Sequence, residues 1–573
     1  MIVMKKANKK TKKVIKKQRK ASKKPKMKRR SIFNTDVLKK AKSNKIKKQK
    51  KEKKQKKQNM FTKKLGFFEK AANLPKFSLE KRKIMLVLPD DFKSFKYPLI
   101  PPFAYAQITK DKTGIYYNLI EPKLSDSEKE QYDKIITGLL EVIDIELTSI
   151  KKKEETIEYL QTQVQKVVDE LGMKIENQSH QRIMYYIYRD FVGLNDIEPL
   201  FHDPYIEDIS CDGMNIPLYI VHRKYGSMKT NIVYKDEGEL KEFIVKMAER
   251  AGRFISYAEP LLDGSLPDGS RIQASFSKDV TTHGPTFTIR KFSEVPFSPI
   301  DLIGNRTVST EVLAYLWMAV ESGSSILIAG GTGTGKTSFL NILSMFIPKN
   351  KKIVTVEDTR ELQLPHENWI PSVTRAGFTK DYGEISMFDL LKEAFRQSPD
   401  YVIVGEVRGK ETYVMFQGMA AGMPSIGTMH AGKVDDVINR LETPPIDLSS
   451  SLIETLDLIL IMTHARTKSE SARRLKEVVE IESVDEKTGI ARTNRLYSWL
   501  PATDSFEKRG YSWLMQEISR NKGIPLEDLQ NEIMDRKKVL DWLYKSRITD
   551  YKEVSDILSE YMRDKKKVFD RVK

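Results

Sequence analysis

Cysteine is almost absent from this chain: Cys211 is the only one in 573 residues. A single cysteine excludes an intramolecular disulfide and any four-cysteine zinc site, and within "EDISCDG" it reads as a small buried apolar residue. Histidine is scarce too, at seven, and the seven are scattered without metal-ligand spacing. Long apolar runs are also missing. The best, Leu456 to Met462, carries Asp457 and falls far short of the roughly 18 residues that span a bilayer as a helix. The opening "MIVMKKANKK" lacks the apolar core of a signal peptide. These shortages together predict a cytoplasmic chain that touches a membrane only peripherally.

Basic residues, by contrast, are abundant but confined. The net charge is +21, yet residues 1–60 alone hold 28 lysines and arginines against 2 acidic residues, a local +26 that leaves the remainder at −5. A Lys-rich segment of low complexity, nearly free of aromatics, cannot bury enough surface to fold alone. Residues 1–62 are therefore expected to be a disordered tail. Such a tail could bind anionic lipid at roughly 1 kcal/mol per basic residue near the surface, or nucleic acid without sequence preference. The competing readings are a merely solvated extension and a translation start at Met60.

Beyond the tail, residues 63–178 mix Pro-bounded strand signals ("KIMLVLP", "GIYYNLIEP") with helical stretches, including Ile135, Leu139, Leu140 and Ile143 as one apolar face. Residues 179–292 read as an α+β unit: a helical run from Arg182, short strands between Ile216 and Tyr234, a helix with Leu240, Phe243, Ile244 and Met247 at helical spacing, then the alternating strands "SRIQASF" and "TFTIRKF". In these last two, Arg271 and Arg290 fall on the face opposite the apolar residues. The Pro-punctuated stretch 293–307 reads as a linker. Strands then alternate with helices over 308–505, the pattern of an α/β domain with a parallel-rich sheet. Residues 506–573 read as helical and amphipathic, with Trp513, Leu514, Ile518, Leu540 and Trp542 as packing positions.

Four strand ends in 308–505 carry chemistry. "SILIAGGTGTGKTSFL" sets a strand, a GxxxxGK[ST] loop and a helix in succession. The glycines let consecutive backbone N–H groups face phosphate oxygens at a helix N-terminus. The binding stretch is Gly330, Gly331, Thr332, Gly333, Thr334, Gly335, Lys336, Thr337 and Ser338, with Lys336 placed for the β- and γ-phosphates of a nucleotide and Thr337 for Mg²⁺. "KIVTVEDTREL" puts Glu357 just past a strand, "YVIVGEVRG" puts Glu406 past another, and "PSIGTMHAG" does the same for His430. Ligands of open α/β sheets gather at the carboxyl ends of strands, so these residues are expected to converge.

In order and spacing, "GGTGTGKT", "VEDTREL", "VIVGEVRG" and "GTMHAG" resemble the Walker A, Asp box, Walker B and His box of the type II/type IV secretion ATPases. That superfamily includes pilus and secretion motors, the archaellum motor and conjugation-type DNA-transfer ATPases. The likeness is strong over about 180–500, and "YPLIPPFAYAQI" and "DPYIEDISCDG" look most like archaeal members. The four-cysteine module of many bacterial members is missing. The resemblance implies a RecA-like ATPase domain preceded by a smaller α+β N-terminal domain. It implies that Glu357 polarises the attacking water, that Glu406 supports Mg²⁺ and that water, and that His430 contacts the γ-phosphate region. Arg271 and Arg290, with Arg253 weaker, match arginines that the N-terminal domain contributes to the nucleotide. A homohexamer hinged at 293–307 is further implied, pushing on a polytopic membrane platform protein to assemble an archaellum or pilus-like filament or to secrete protein. The alternative is a DNA-transfer translocase. A small-molecule kinase is disfavoured because nothing resembles an acceptor lid. Arg408, two residues past Glu406, is left open between bracing Glu406 and contacting a neighbouring subunit.

Overall fold

The computed structural model describes residues 74–79, 88–89, 91–143, 153–292, 296–375, 383–466, 471–485 and 491–572. The expected basic tail, most of "KIMLVLP" and residues 293–295 of the expected linker lie outside them. By its internal contacts the chain divides into a large unit, Leu74–Val164 with Ile175–Lys573, and a small one in which residues 165–174 are described. All that follows concerns the large unit.

Its first nine strands form one sheet. They are β1 (Ser94–Ile100), β2 (Ala104–Lys110), β3 (Ile115–Ile120), β4 (Ile206–Cys211), β5 (Pro217–His222), β6 (Gly226–Val233), β7 (Leu261–Ser265), β8 (Arg271–Ser275) and β9 (Thr286–Arg290), in spatial order β1-β2-β3-β6-β5-β4-β9-β8-β7. Alternation sets which face of each strand is buried: Ile272 on β8 and Phe287 and Ile289 on β9 point into the core, and Cys211 on β4 is buried as its apolar neighbours require. The three leading strands join through the parallel pairing of β3 with β6. They are pinned by buried Asp203, whose Oδ2 accepts from the hydroxyls of Tyr97 at 2.6 Å and Tyr117 at 2.9 Å.

One sequence expectation fails here. In the helix Asp126–Val142, Ile135 and Leu139 are buried but Leu140 is 70% exposed. Adjacent helical residues diverge by about 100°, so a face holding positions i and i+4 excludes i+5. Ile143 sits at the helix C-cap, already in extended backbone.

The second sheet positions the site. Its strands are β10 (Ile326–Gly330), β11 (Ile353–Glu357), β12 (Trp369–Val373), β13 (Tyr401–Val404), β14 (Ser425–Met429), β15 (Leu458–Arg466), β16 (Ser471–Val484), β17 (Ala491–Leu500) and β18 (Ser505–Lys508). The spatial order is β12-β11-β13-β14-β10-β15-β16-β17-β18, parallel from β12 to β15 and antiparallel beyond. The fold is thus α/β with mixed sheets. Strands β10, β11, β13 and β14 are buried along their whole length, which is why the first three read as largely apolar runs rather than alternating ones. The helix Thr310–Glu321, capped by Ser309, buries every residue from Val312 to Val320, as a helix packed on all sides must. It lies against the helix Leu526–Lys545. There Arg536 sits 4.8 Å over the Trp317 ring and pairs with Glu321 at 2.8 Å. Within the expected linker, residues 299–304 form a short helix capped by Ser298. Among the described residues no helix is long and apolar enough to cross a membrane.

Candidate active site

The parallel order places the ends of β11, β13, β14 and β10 side by side, so four segments distant in sequence leave the sheet at one edge. The loop after β10 turns through Gly333 (φ 73°) and Gly335 (φ 90°), both in the left-handed region that glycine tolerates. Gly335 is the N-cap of the helix Lys336–Ser344. A Cβ on Gly330 would stand 2.6 Å from the Thr334 hydroxyl and 2.7 Å from the Met462 carbonyl oxygen, so no larger residue fits. Gly331, Thr332 and Gly333 are exposed while Lys336 is buried; Thr337 and Ser338 are half-buried on the first helical turn.

Lys336 Nζ donates to the carbonyls of Gly330 (3.1 Å) and Gly331 (3.0 Å) and lies 3.4 Å from His430 Nδ1. His430 Nε2 is 3.1 Å from Glu406 Oε1, in ion-pair range but without the alignment of a hydrogen bond. Glu406 Oε2 accepts from Arg408 Nη2 at 2.5 Å. Of the two roles open to Arg408, this contact is the brace on Glu406. Its own loop is held by Glu411 Oε1, which accepts from the Arg408 and Gly409 amides at 2.6 Å each.

Charge distributes unevenly over this chain of contacts. Burial alone would raise the Glu406 carboxyl, but the hydrogen bond and charge of Arg408, with His430 and Lys336, outweigh it and hold the group below the usual carboxylate range. Burial lowers Lys336, with Glu406 pulling the other way. Burial and the Lys336 charge lower His430, which keeps its imidazole neutral at pH 7.

Glu357 stands apart at the end of β11. It is 2% exposed. Its Oε1 accepts from the amides of Glu361 (2.9 Å) and Leu362 (3.0 Å), whereas its Oε2 has no hydrogen-bond partner. Burial pushes its carboxyl up to about 7 against the two amide hydrogen bonds. The neighbouring strand approaches so closely that a Cβ on Gly405 would lie 3.1 Å from Glu357 Cγ.

The two N-terminal arginines lie elsewhere. Arg271 on β8 pairs with Asp263 at 3.0 Å and Arg290 on β9 with Asp208 at 3.3 Å. Among the described residues neither forms a hydrogen bond or ion pair with the glycine loop 330–337. Two other residues flank that loop and carry no sequence signal: His464 on β15, with Nε2 3.3 Å from the Thr332 carbonyl oxygen, and its cross-strand partner Arg473 on β16. Arg473 Cδ is 3.3 Å from where a Gly335 Cβ would stand, and its guanidinium reaches Glu207 on β4 at 3.4 Å. Only the pairing of β15 beside β10 brings them there.

The donors suit Mg²⁺. Mg²⁺ takes one or two protein oxygens and completes its shell with water and phosphate. Thr337 and the unpartnered, buried Glu406 Oε1 are such oxygens. Among the described residues no cluster of three or more His, Cys, Asp or Glu suited to a metal exists.

Residues 199–504, more than half of the chain, match the model of a family described as "Type II/IV secretion system protein". The chain belongs to that family. This secretion-family chain is 36% identical over 502 residues to the uncharacterized protein MJ0900 of Methanocaldococcus jannaschii, covering 83% of the chain and 91% of that protein. It is 30% identical over 258 residues to the type IV secretion system protein PtlH of Bordetella pertussis, covering 39% of the chain and 76% of PtlH. Among solved structures, the VirB11 ATPase of the Brucella suis type IV secretion system is similar at 23% identity and a TM-score of 0.26, covering 49% of this chain and 95% of that one.

Proposed function

We propose that this chain is an ATP-hydrolysing motor of the type II/IV secretion family. Support comes above all from one observation, the convergence of Lys336, Glu357, Glu406 and His430 at the carboxyl edge of the parallel part of one sheet. Phosphoryl transfer to water asks for positioning and charge stabilisation more than for covalent chemistry. In this reading the glycine loop and helix N-terminus receive the phosphates, and Lys336 leaves the Gly330 and Gly331 carbonyls to reach them. Mg²⁺ supplies positive charge to the phosphate oxygens when held by Thr337 and Glu406. Glu357, with one free oxygen and a carboxyl near neutrality, takes a proton from the attacking water. His430, neutral and between Lys336 and Glu406, reads whether the phosphate end is filled.

The domain reading is kept with this mechanism: a basic tail to residue 62, a mixed region to 178, an α+β part to 292, a linker to 307, a RecA-like ATPase part to 505 and helices to 573. The motor works as a homohexamer at the cytoplasmic face of a membrane and drives filament assembly or protein secretion through a polytopic platform protein. The basic tail adds affinity for anionic lipid. A second reading, a DNA-transfer translocase, draws on that same tail charge of +26.

ATP turnover by Lys336→Ala and Glu406→Gln tests the site. Both are expected to lose at least about a hundredfold, the scale of losing a phosphate or metal contact in a preorganised site; wild-type rates in both would overturn it. Stimulation of wild-type turnover by anionic vesicles supports the filament or secretion motor, and stimulation by DNA supports the translocase.

A further inference from the structure

The helices that follow residue 504 lie outside the family match, yet one of their side chains reaches the loop that holds Glu357. The helix Tyr551–Arg563 starts at the N-cap Asp550, whose carboxylate accepts from the amides of Lys552 and Glu553 at 3.1 Å each. Its first residue, Tyr551, donates its hydroxyl to the Gln363 carbonyl at 2.5 Å. The same residue, Gln363, donates its amide to Asn341 Oδ1 at 2.9 Å, and Asn341 sits on the helix that carries Lys336. One residue earlier, Leu362 donates its amide to Glu357. The segment 358–366, a strap between β11 and β12, ends where the His366 ring meets the Ile347 carbonyl at 2.9 Å.

We propose that Tyr551 is a positioning residue for Glu357, through which the C-terminal helices set the strap 358–366 and with it the carboxylate that faces the attacking water. The inference rests on the reading of Glu357 given above. The Leu362 amide held by Glu357, the Gln363 amide held by Asn341 and the Gln363 carbonyl held by Tyr551 belong to three successive peptide planes, so each plane in that run has an anchor. Packing makes the anchor stiff. Val554, Ile557 and Leu558 of the C-terminal helix share one hydrophobic core with Leu362 and Leu364 of the strap and with Phe339 and Leu340 of the Lys336 helix. The tyrosine hydroxyl adds direction to that packing: it fixes the plane of the 363–364 peptide, next to the 362–363 peptide that Asn341 holds and, through it, to the 361–362 peptide that donates to Glu357. A second link from the same helix, Asp556 to Lys349 at 2.5 Å, docks the helix without touching the strap.

The two links separate positioning from docking. Tyr551→Phe is expected to lower kcat about fivefold, the scale of one net hydrogen bond, with nucleotide affinity within about twofold of wild type because the phosphate-binding loop is untouched. Amide hydrogen exchange should quicken in 358–366 and stay unchanged in 330–337. Asp556→Ala should match wild type in both readouts. Unchanged exchange and kcat in Tyr551→Phe, or an equal loss in Asp556→Ala, would overturn the strap. Turnover surviving in Glu357→Gln counts instead against the reading of Glu357, and the exchange data then still judge the strap on its own.

Discussion

Two carboxylates at one sheet edge are driven in opposite directions by their surroundings. Glu406 is partnered by a guanidinium and kept ionised, whereas Glu357 is buried with one oxygen unpartnered and its carboxyl raised from 4.5 to about 7. Such a split sorts the roles, an ionised group for a cation and a group near neutrality for a proton. It also ties Glu357 to stability. Between pH 4.5 and about 7 the unfolded chain has lost this proton and the folded chain keeps it, so the group lowers stability as pH rises through that window. The full penalty, of order 3 kcal/mol at about 1.4 kcal/mol per pH unit, is present above pH 7. Glu357→Gln cannot ionise. It is therefore expected to melt higher than wild type at pH 8 and at the same temperature near pH 4.5, while turnover is lost. In the wild type, kcat/KM for ATP should rise on an acid limb with its midpoint near 7, since that ratio reports the free enzyme. Melting curves in which Glu357→Gln gains nothing at pH 8 would remove the buried charge from the account.

At the scale of elements, the sequence marks each strand end but not the order in which the strands lie. The glycine loop was legible because its chemistry is local, a strand, a turn and a helix within sixteen residues. Glu357 and Glu406 were legible as strand ends because their buried strands read as largely apolar runs that stop at a polar residue, and His430 through the likeness of "GTMHAG" to a His box. His464, Arg473 and Tyr551 were not, since each reaches the site by pairing or packing between distant segments, and no spacing encodes that β15 lies beside β10. Leu140 failed for the opposite reason, a local pattern read one residue too widely. The closeness of β11 and β13 yields a direct test. Gly405 lies at the exit of β13, its amide bonded to the Val356 carbonyl at 2.9 Å and its carbonyl accepting from the Thr428 hydroxyl at 2.6 Å. A Cβ there meets Glu357 at 3.1 and 3.4 Å, tighter than ordinary contact. Gly405→Ala is expected to fold, because the neighbour must give by only a few tenths of an ångström. It should nonetheless cut kcat by about tenfold or more, since small misplacements of reacting groups are costly. Wild-type turnover in Gly405→Ala would mean that the position of Glu357 is not critical.

At the scale of the whole molecule, a role for Arg271 and Arg290 at the phosphates would require both to leave their present partners. Arg271 and Arg290 are tied to Asp263 and Asp208 of their own sheet, with the side chains 37% and 61% exposed. Exposed pairs of this kind contribute about 0–1 kcal/mol, so either arginine can leave its aspartate at little cost when a phosphate offers more charge. The two strands pair Arg271 directly with Arg290, which concentrates positive charge on one patch of the N-terminal sheet. Arg473 already spans both sheets, between the phosphate-binding loop and Glu207. If the patch serves a nucleotide only on closure or in a ring, turnover per chain should climb with protein concentration in the wild type. Arg271→Ala and Arg290→Ala should each lose about tenfold or more at high concentration, because an arginine at a transferring phosphoryl group is worth at least that much. Nucleotide binding by dilute chains should stay near wild type in both, since neither arginine touches the loop in the single chain. Wild-type turnover in both variants at every concentration would leave the pair as surface charge, and Arg473 would then be the arginine best placed for the phosphates.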